Sequence, residues 1–535
     1  MSAAMPHATA TYVVVILLIG LVIYYSRSTE GGYASASRRW IFYYVRRLRG
    51  LLYLVAGPRI IEEAYAQAKG KTFIVPTPSN DYLMVTSSEL IREVTEAPPA
   101  SLSLHAVAKE MLQPKYTMQG FEWQDQRGLE GTGFVRALRS LLTSHLPYFQ
   151  PSIDMIIRDS LANELKSSGE NGFVPVRIFP AIKRIVTRAN SLVFFGQQLS
   201  ENDQFTAAAL EFPQIVIFAA EVLRITPGFL RSFVASLATN RHRAANILCR
   251  HLEPIVRERM AMRDELAQGR SVSNQPVDCI QWIIDTSPRK NPWSPMRMVG
   301  EIMAVWFSTV HQLAMTATYM VQDLCLHDEY IEPLRQELRD YLVLQAKPGA
   351  LIDVERLPLL DSFIKESIRC TNADAISCRR KALSPYVLQD GSRVEKGDWV
   401  CIPQLAMMHD AQRYASPHEF RGFRFAHANE AMKEGRMTAE VPDIAPASLT
   451  TATVEWPMWG LGIATCPGRF YASLVLKLVA LQILDEWECK MLGTNGNMRS
   501  RIWRSSIVPR TSTVVLFRRR PISLQRQLAA AQDSS

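Results

Sequence analysis

The stretch WGLGIATCPGRFYA, from Trp459 to Ala472, brings one cysteine, Cys466, to the start of an apolar helical segment. Glycines stand on both sides of this cysteine, at Gly460, Gly462 and Gly468. Because glycine has no side chain, the backbone here can approach a large planar ligand closely. Pro467 is tolerated in the first turn of a helix, where the amide has no intrahelical partner. A helix N-terminus favours an anion, so the sequence predicts a Cys466 thiolate with a lowered pKa.

Charged motifs at three other places accompany this loop. Glu366 and Arg369 are three residues apart, which places both side chains on one face of a helix. Residues 420–425 read FRGFRF and include Arg424. Between these two motifs lies Arg380, followed by a lysine. A Glu-x-x-Arg pair alone is common on solvated helices, so the order of the motifs along the chain is more informative than any one of them.

In this order the motifs resemble the cytochrome P450 family of haem-thiolate monooxygenases, in particular its fungal membrane-bound members of secondary metabolism. The family's haem loop reads Phe-Gly-x-Gly-x-basic-x-Cys-x-Gly, with an alanine four residues later, and the glycines, the cysteine and Ala472 match it. The resemblance implies haem b (iron protoporphyrin IX) as the cofactor. Its iron would take the Cys466 thiolate as axial ligand, which donates electron density and favours O–O cleavage. The resemblance also implies cofactor contacts by Trp459, Gly460, Gly462 and Gly468.

The resemblance assigns the charged motifs a structural role. It implies that Glu366, Arg369 and Arg424 form a buried network that steadies the haem loop. The segment that supplies Arg424 is similar to the family's Phe-x-Pro-x-Arg-Phe, with Gly422 in place of the proline.

The sequence departs from the family pattern above the haem. There the family's central helix carries an acid–alcohol pair for proton delivery, whereas the matching helix, residues 303–328, carries His311 and Gln312. The Gln312 amide can orient a water but does not titrate, so it is a poor proton relay. Ser308 and Thr309 are expected on a different face of the helix. We predict catalytic roles for His311 and Gln312, with His311 lining the distal pocket and a core histidine as the alternative.

A further departure concerns the haem propionates. Ala464 stands where the family usually has an arginine or histidine in contact with a propionate. Trp459 replaces phenylalanine but still shields the thiolate with an aromatic face. Neutralisation of the propionates must then come from elsewhere, and Arg139 and Arg380 are the candidates.

The amino terminus predicts a membrane anchor. Residues 8–25 read ATATYVVVILLIGLVIYY without a charge, and eighteen helical residues span about 27 Å. Residues 31–61 contain six arginines and no acidic residue, which is six of the chain's nine net positive charges. The charge excess is therefore local and does not indicate nucleic-acid binding. The positive-inside rule predicts one span in the endoplasmic reticulum membrane with a cytosolic catalytic domain, and a cleaved signal peptide is the alternative.

A second apolar segment, residues 207–230, needs its own interpretation. Charged residues and a proline interrupt it, which argues against a span. We predict a helix pair packed on the core, with a shallow membrane contact as the alternative.

The rest of the chain predicts a mainly α fold with small β-sheets (α+β). Apolar-periodic segments from about 132 to 370 indicate helices, and short β-prone pieces follow at 382–404. We therefore predict a cytochrome P450-like haem domain behind one transmembrane helix. The predicted parts are a membrane anchor (1–30), a basic juxtamembrane linker (31–58), a haem-thiolate catalytic domain (59–520) and a polar tail (521–535).

The resemblance implies a monooxygenase that oxidises a lipophilic fungal terpenoid, meroterpenoid or indole-derived metabolite with O2. The chain has no flavin or nicotinamide motif, so electrons from NADPH would arrive through a separate cytochrome P450 reductase, with a b-type cytochrome as a second candidate donor. The alternatives are a haem-thiolate enzyme for desaturation, rearrangement or ring formation, and an inactive haem-free membrane scaffold. Predicted pocket walls lie near residues 102–121, 210–223, 303–316 and 372–378.

Overall fold

The computed structural model of the chain describes eight ranges, which are residues 35–118, 121, 133–165, 172–269, 275–290, 292–345, 352–493 and 499–521. The predicted anchor (1–30) lies outside the described residues. So does the predicted tail (521–535), apart from its first residue.

Most of the described chain is helical. The α-helices are α1 (Ser35–Ala68), α2 (Ser88–Glu96), α3 (Leu104–Leu112), α4 (Pro114–Thr117), α5 (Gly133–Arg136), α6 (Leu146–Glu164), α7 (Ile178–Phe195), α8 (Gln197–Ser200), α9 (Asp203–Ile225), α10 (Arg231–Ala238), α11 (Arg243–Ala267), α12 (Cys279–Thr286), α13 (Pro295–Leu326), α14 (Ile331–Gln345), α15 (Pro358–Cys370), α16 (Gln404–Met408), α17 (Arg424–Lys433) and α18 (Arg469–Glu486). A π-helical turn, Ala137–Leu142, continues α5.

The strands are short. They are β1 (Phe73–Pro76), β2 (Asp81–Met84), β3 (Leu102–Ser103), β4 (Val174–Arg177), β5 (Ser377–Ala382), β6 (Tyr386–Val387), β7 (Arg393–Val394), β8 (Trp399–Ile402), β9 (Trp487–Met491), β10 (Ser500–Trp503), β11 (Ser506–Pro509) and β12 (Val514–Arg519). The largest sheet has the order β1-β2-β8-β5-β3, in which only β2 and β8 run parallel. The predicted mainly α fold with small sheets is confirmed.

The centre of the fold is helix α13. Ser294 caps its amino end by accepting a hydrogen bond from the Arg297 amide, and Pro295 occupies the first turn. Apolar residues on every side of the helix are buried, which is typical of a helix that crosses a protein interior. Helix α7 packs along α13, and the apolar helix α18 lies on the same core. The residues that precede α18 therefore lie against the middle of α13.

The structure describes the predicted basic linker (31–58) from Ser35 onward. It is helical from Ser35 and continues, through a kink at Ala56, to the end of α1. Arg46 and Arg47 each lie 2.9 Å from a carboxylate oxygen of Asp81. These ion pairs and the buried Tyr53 dock α1 against the large sheet.

Helix α9 contains most of the second apolar segment. Among the described residues it is the one helix long and apolar enough to cross a membrane, yet 44% of its most apolar window is buried inside the protein. Phe205, Phe212 and Val216 face the core, so the predicted core packing holds for this helix. The carboxyl half of α9, the following 3-10 turn (Gly228–Leu230) and α10 instead expose aromatic side chains, among them Phe229 of the turn at 86%.

Candidate active site

The cysteine loop lies immediately before α18. It contains two short 3-10 helices, Pro457–Trp459 and Gly462–Ala464, with a tight turn between them. The Cys466 amide donates to the Trp459 carbonyl at 2.6 Å, and the Trp459 indole donates to the Leu449 carbonyl at 2.7 Å. Gly460 has a φ of 72°, and a Cβ there would lie 2.8 Å from the Ala464 carbonyl oxygen. Glycine is therefore required by the turn itself. Gly468 is in ordinary backbone geometry with open space around it.

The environment of the Cys466 thiol differs from the expectation. Burial raises its pKa, while the Gly468 amide and the Arg469 guanidinium act in the opposite direction. The expected anion-favouring groups at the start of α18 are present. The prediction of a lowered pKa was wrong for the polypeptide alone, because loss of water around the sulfur outweighs these groups.

A cavity of about 550 Å³ opens above the cysteine. Trp459, Gly460, Ala464, Cys466 and Gly468 line it on the loop side, but Gly462 does not. The opposite wall consists of residues from α3 (Leu104–Leu112), residues 307–316 of α13, and the segment from Thr371 to Arg380. These walls overlap three of the four predicted ranges. The range 210–223 does not line this cavity, and several of its residues line a separate open groove on α9.

The residues present fit a haem with one protein ligand. The cavity volume is within the usual range for ligand and cofactor sites. Within the described ranges there is no group of three or more His, Cys, Asp or Glu side chains that could hold a metal ion directly. A haem iron would take the Cys466 sulfur as its protein ligand.

Arg380 provides a second test of the fit. Its side chain lines the cavity and is 5% exposed, and burial lowers its pKa. It donates to the Arg379 carbonyl at 3.0 Å and has no carboxylate partner among the described side chains. A buried guanidinium without an anion is costly, so this position suits a propionate.

Arg139 is placed differently. It is exposed, does not line the cavity, and reaches the Ile463 carbonyl at 3.4 Å from outside the cysteine loop. Of the two arginine candidates, the structure thus brings only Arg380 to the cavity.

The central helix departs from two expectations. Gln312 lines the cavity together with Ser308 and Thr309, because positions three and four apart share a helix face, so the expectation of different faces was wrong. His311 does not line the cavity. Its ring lies 6.3 Å from that of Phe179, burial lowers its pKa to about 4, and Lys183 adds to the effect. This is the core-histidine alternative, since residue 311 points between α7 and α13.

The charged motifs converge in one buried network. Arg369 donates to both carboxylate oxygens of Glu366 at 2.8 Å, and Arg424 reaches the same two oxygens at 3.2 Å. Arg369 also donates to the Met408 and Pro417 carbonyls. The two arginines thereby join α15 to the long segment that leads to the cysteine loop.

Two further polar groups were missed by sequence reasoning. Lys365 is fully buried with its Nζ 4.4 Å from the ring centroid of Phe425 and 4.9 Å from that of Trp456. Asn190 is equally buried, donates to the Thr309 carbonyl at 3.0 Å and accepts from Tyr471 at 2.8 Å. In the sequence, each of these residues is a polar position on the apolar face of a helix. That pattern predicts that the side chain is buried, but it does not predict which group it contacts.

Comparison with known proteins gives one consistent result. A family model described as cytochrome P450 matches residues 63–516. Cytochrome P450 monooxygenase olcJ of Penicillium canescens is 29% identical over 397 residues, which cover 73% of this chain and 71% of that protein. Cytochrome P450 monooxygenase AN1598 of Emericella nidulans is 25% identical, with 95% and 91% covered.

A third similar protein is cytochrome P450 monooxygenase paxP of Penicillium paxilli, 25% identical with 86% of each chain covered. Among solved structures, the retinoic acid-bound cyanobacterial CYP120A1 matches with a TM-score of 0.64 and 16% identity, covering 88% of this chain and 97% of that one. At that identity the match shows the fold alone.

Proposed function

Because the chain belongs to the cytochrome P450 family, and is therefore a monooxygenase whose haem iron is bound by a cysteine thiolate, we propose that it oxidises a lipophilic fungal secondary metabolite. The class proposed is terpenoid, meroterpenoid or indole-derived. The observation that carries the proposal is the cavity itself, which holds Cys466 on one wall and mostly apolar side chains on the others. Such a cavity selects by shape and excludes water from an apolar substrate.

When bound, haem supplies the activation of O2, and the polypeptide supplies position and protons. Cys466 would hold the iron and Arg380 a propionate. Leu104, Val107 and Phe307 would orient the substrate by contact.

Proton delivery is the step for which this chain has unusual residues. The hydroxyls of Ser308 and Thr309 already donate to carbonyls of their own helix, at 2.7 and 2.9 Å. Gln312 lines the same part of the cavity and has an amide that could hold a water, but the amide does not titrate and so cannot itself relay a proton. This gives specific support to a second candidate function, desaturation, rearrangement or ring formation.

The proposed location is the endoplasmic reticulum membrane, with the catalytic domain in the cytosol. Residues 8–25 would span the bilayer. The exposed aromatic side chains Phe218, Phe229 and Phe233 would touch its surface, because contact with the headgroup region would remove their apolar rings from water. Electrons would come from NADPH through a separate reductase, with a b-type cytochrome as a second candidate donor.

One experiment tests the enzyme and its reaction type. The full chain is co-expressed with a cytochrome P450 reductase, and the membrane fraction is reduced under CO. An absorption band near 450 nm is expected. The membranes are then incubated with NADPH and a panel of terpenoids and prenylated indoles, and the masses of the products are measured by mass spectrometry. A gain of one oxygen supports monooxygenation, loss of two hydrogens supports desaturation, and a new product of unchanged mass supports rearrangement. Full expression without the 450 nm band would refute the proposed function.

A further inference from the structure

The buried amide of Asn190 joins the two helices that carry opposite sides of the active-site cavity. Its Nδ2 donates to the Thr309 carbonyl of α13 at 3.0 Å, and its Oδ1 accepts from the Tyr471 hydroxyl of α18 at 2.8 Å. The residue is fully buried on α7, the helix that packs along α13. Both ends of the amide are therefore bound, and each end is bound to a different helix.

The chemistry of the two partners fixes the orientation of this amide. A backbone carbonyl oxygen only accepts, so the NH2 group must face Thr309 and Oδ1 must face Tyr471. The phenol then has to donate. Burial raises the pKa of Tyr471, which keeps the donated proton on its oxygen. The bridge thus runs in one direction, from the phenol through the amide to the carbonyl of α13.

The two partners of Asn190 border the cavity from opposite sides. Thr309 lines it on α13, on the same helical turn as Gln312. Tyr471 lines it near the start of α18, shortly after Cys466. Phe194, one turn after Asn190 on α7, supports the Tyr471 ring, with the two ring centroids 5.9 Å apart. Two hydrogen bonds therefore connect the distal turn of α13 to the helix that begins at the cysteine loop.

Other buried polar side chains on α7 bond only within their own helix. The hydroxyls of Thr187 and Ser191 are buried like the Asn190 amide, but they donate at 2.7 Å to the Lys183 and Thr187 carbonyls. Packing of one helix on another requires only apolar side chains, and a buried amide is unfavourable unless its polar groups are bound. What the Asn190 amide adds is a directional link to one carbonyl of α13.

A donor from a neighbouring helix restrains the turn that it binds. The Thr309 carbonyl lies in the middle of α13, where a helical carbonyl accepts the amide four residues later, here that of Leu313. A side chain that bonds to such a carbonyl from outside the helix restrains the local bend and rotation. Gln312 lies on this turn, so the position of its amide relative to the Cys466 sulfur depends on the bridge. An error of about 1 Å in such a position can lower a rate by about a hundredfold.

We propose that Asn190 is a positioning residue, which holds the turn of α13 from Thr309 to Gln312 in a fixed place relative to the Cys466 thiolate. The link to the cysteine side runs through the Tyr471 hydroxyl. Asn190 does not itself line the cavity, so it acts through its two partners. This inference rests on the proposed function, because the turn that is held carries the residues assigned to proton delivery.

The test follows the turn itself in the haem-loaded full-length protein and needs no substrate. Hydrogen–deuterium exchange, measured by mass spectrometry, reports on the backbone amides of residues 306–316. Asn190→Leu removes both hydrogen bonds at similar side-chain volume, so these amides should exchange about fivefold faster than in wild type. In the reduced CO complex, the infrared C–O stretching band should shift or broaden, because the polar groups above the haem lose their fixed position.

Tyr471→Phe removes one half of the bridge with the smaller change in packing. Exchange of the same amides should become about twofold faster, since the amide keeps its bond to Thr309 but loses its hold on α18. Added to Asn190→Leu, this substitution should cause no further increase, because the interaction that it removes is already lost. If Asn190→Leu yields no folded protein, Tyr471→Phe decides the outcome alone.

Ser191→Ala is the matched control. It removes a buried hydrogen bond from the next residue of α7, but that bond stays within the helix. Exchange of residues 306–316 and the infrared band should remain as in wild type.

Unchanged exchange in Asn190→Leu and Tyr471→Phe, an unchanged infrared band in both, or equal effects of Ser191→Ala would overturn the inference. A merely structural role of Asn190 would give the last of these results. The CO-difference spectrum separates such an outcome from failure of the proposed function. With the 450 nm band present in wild type, only the role of Asn190 is refuted, and without it both proposals fall.

Discussion

The two sides of the active-site cavity differ in how fully their polar groups are partnered. On the cysteine side, Glu366 has both oxygens bound by Arg369 and Arg424, and the Cys466 amide is bound by the Trp459 carbonyl. On the distal side, the Gln312 amide lines the cavity without a hydrogen-bond partner among the described residues. The partnered side can hold a cofactor in one position. The distal side leaves the Gln312 amide available to a water or a bound molecule.

The largest effect should come from breaking the partnered side. Glu366→Gln removes the carboxylate that two buried guanidinium groups share. It leaves Arg369 without a carboxylate and Arg424 with only the partly exposed Glu440. The loss of unfolding free energy should be about 3–5 kcal/mol, together with loss of the 450 nm band. Thermal unfolding and the CO-difference spectrum measure these. Glu440→Gln is the control, because Glu440 also contacts Arg424 but its side chain is 35% exposed. An equal effect of the two substitutions would contradict the central role of Glu366.

A smaller effect is expected where a buried side chain lies behind the distal wall. The pKa of His311 is lowered to about 4 by burial and by Lys183, whereas in the unfolded chain it is near 6.5. The unfolded chain therefore binds more protons between these values, so folding stability falls as the pH is lowered from 6.5 to 4. At pH 5 the cost is on the order of 2 kcal/mol.

His311→Leu should remove this cost. The variant's melting temperature should fall less than that of wild type between pH 7 and pH 5, and the ratio of product to NADPH should be unchanged. An unaltered pH dependence together with a collapse of product formation would show instead that His311 acts in catalysis.

An effect of intermediate size is expected at Arg380, on the wall opposite the cysteine loop. Arg380→Leu removes a buried guanidinium that would pair with a propionate, and transfer of haem to apomyoglobin should become about tenfold faster. The control is Arg139→Leu, where the arginine contacts the Ile463 carbonyl from outside and should alter transfer by less than about twofold. The reverse order of effects would assign the propionate to Arg139.

Sequence reasoning succeeded best on the cysteine side. A sequence shows directly which residues share a helix face and where glycine allows a tight turn. The spacing of Glu366 and Arg369 and the order of the glycines around Cys466 are features of these two kinds. On the distal side, the role of a residue depends on which neighbouring helix or strand its side chain packs against, and the sequence does not show this. His311 and Gln312 are adjacent in sequence, yet one faces α7 and the other the cavity. The two partners of Asn190 could not be predicted at all, because they lie 119 and 281 residues away along the chain.

The smallest expected effect concerns Gln312, the distal residue that replaces the family's alcohol. Gln312→Thr introduces a hydroxyl that can donate and accept along a proton path, where the amide only orients a water. Product formed per NADPH should rise about threefold, a change in barrier below 1 kcal/mol, and hydrogen peroxide release should fall correspondingly. Gln312→Asn retains the amide and should leave both quantities near the wild-type values. Coupling that is already tight in wild type and unchanged in Gln312→Thr would show that proton delivery does not pass this residue. A hydroxyl carried by the substrate would then be the first alternative to examine, because it would bring an exchangeable proton into the same cavity.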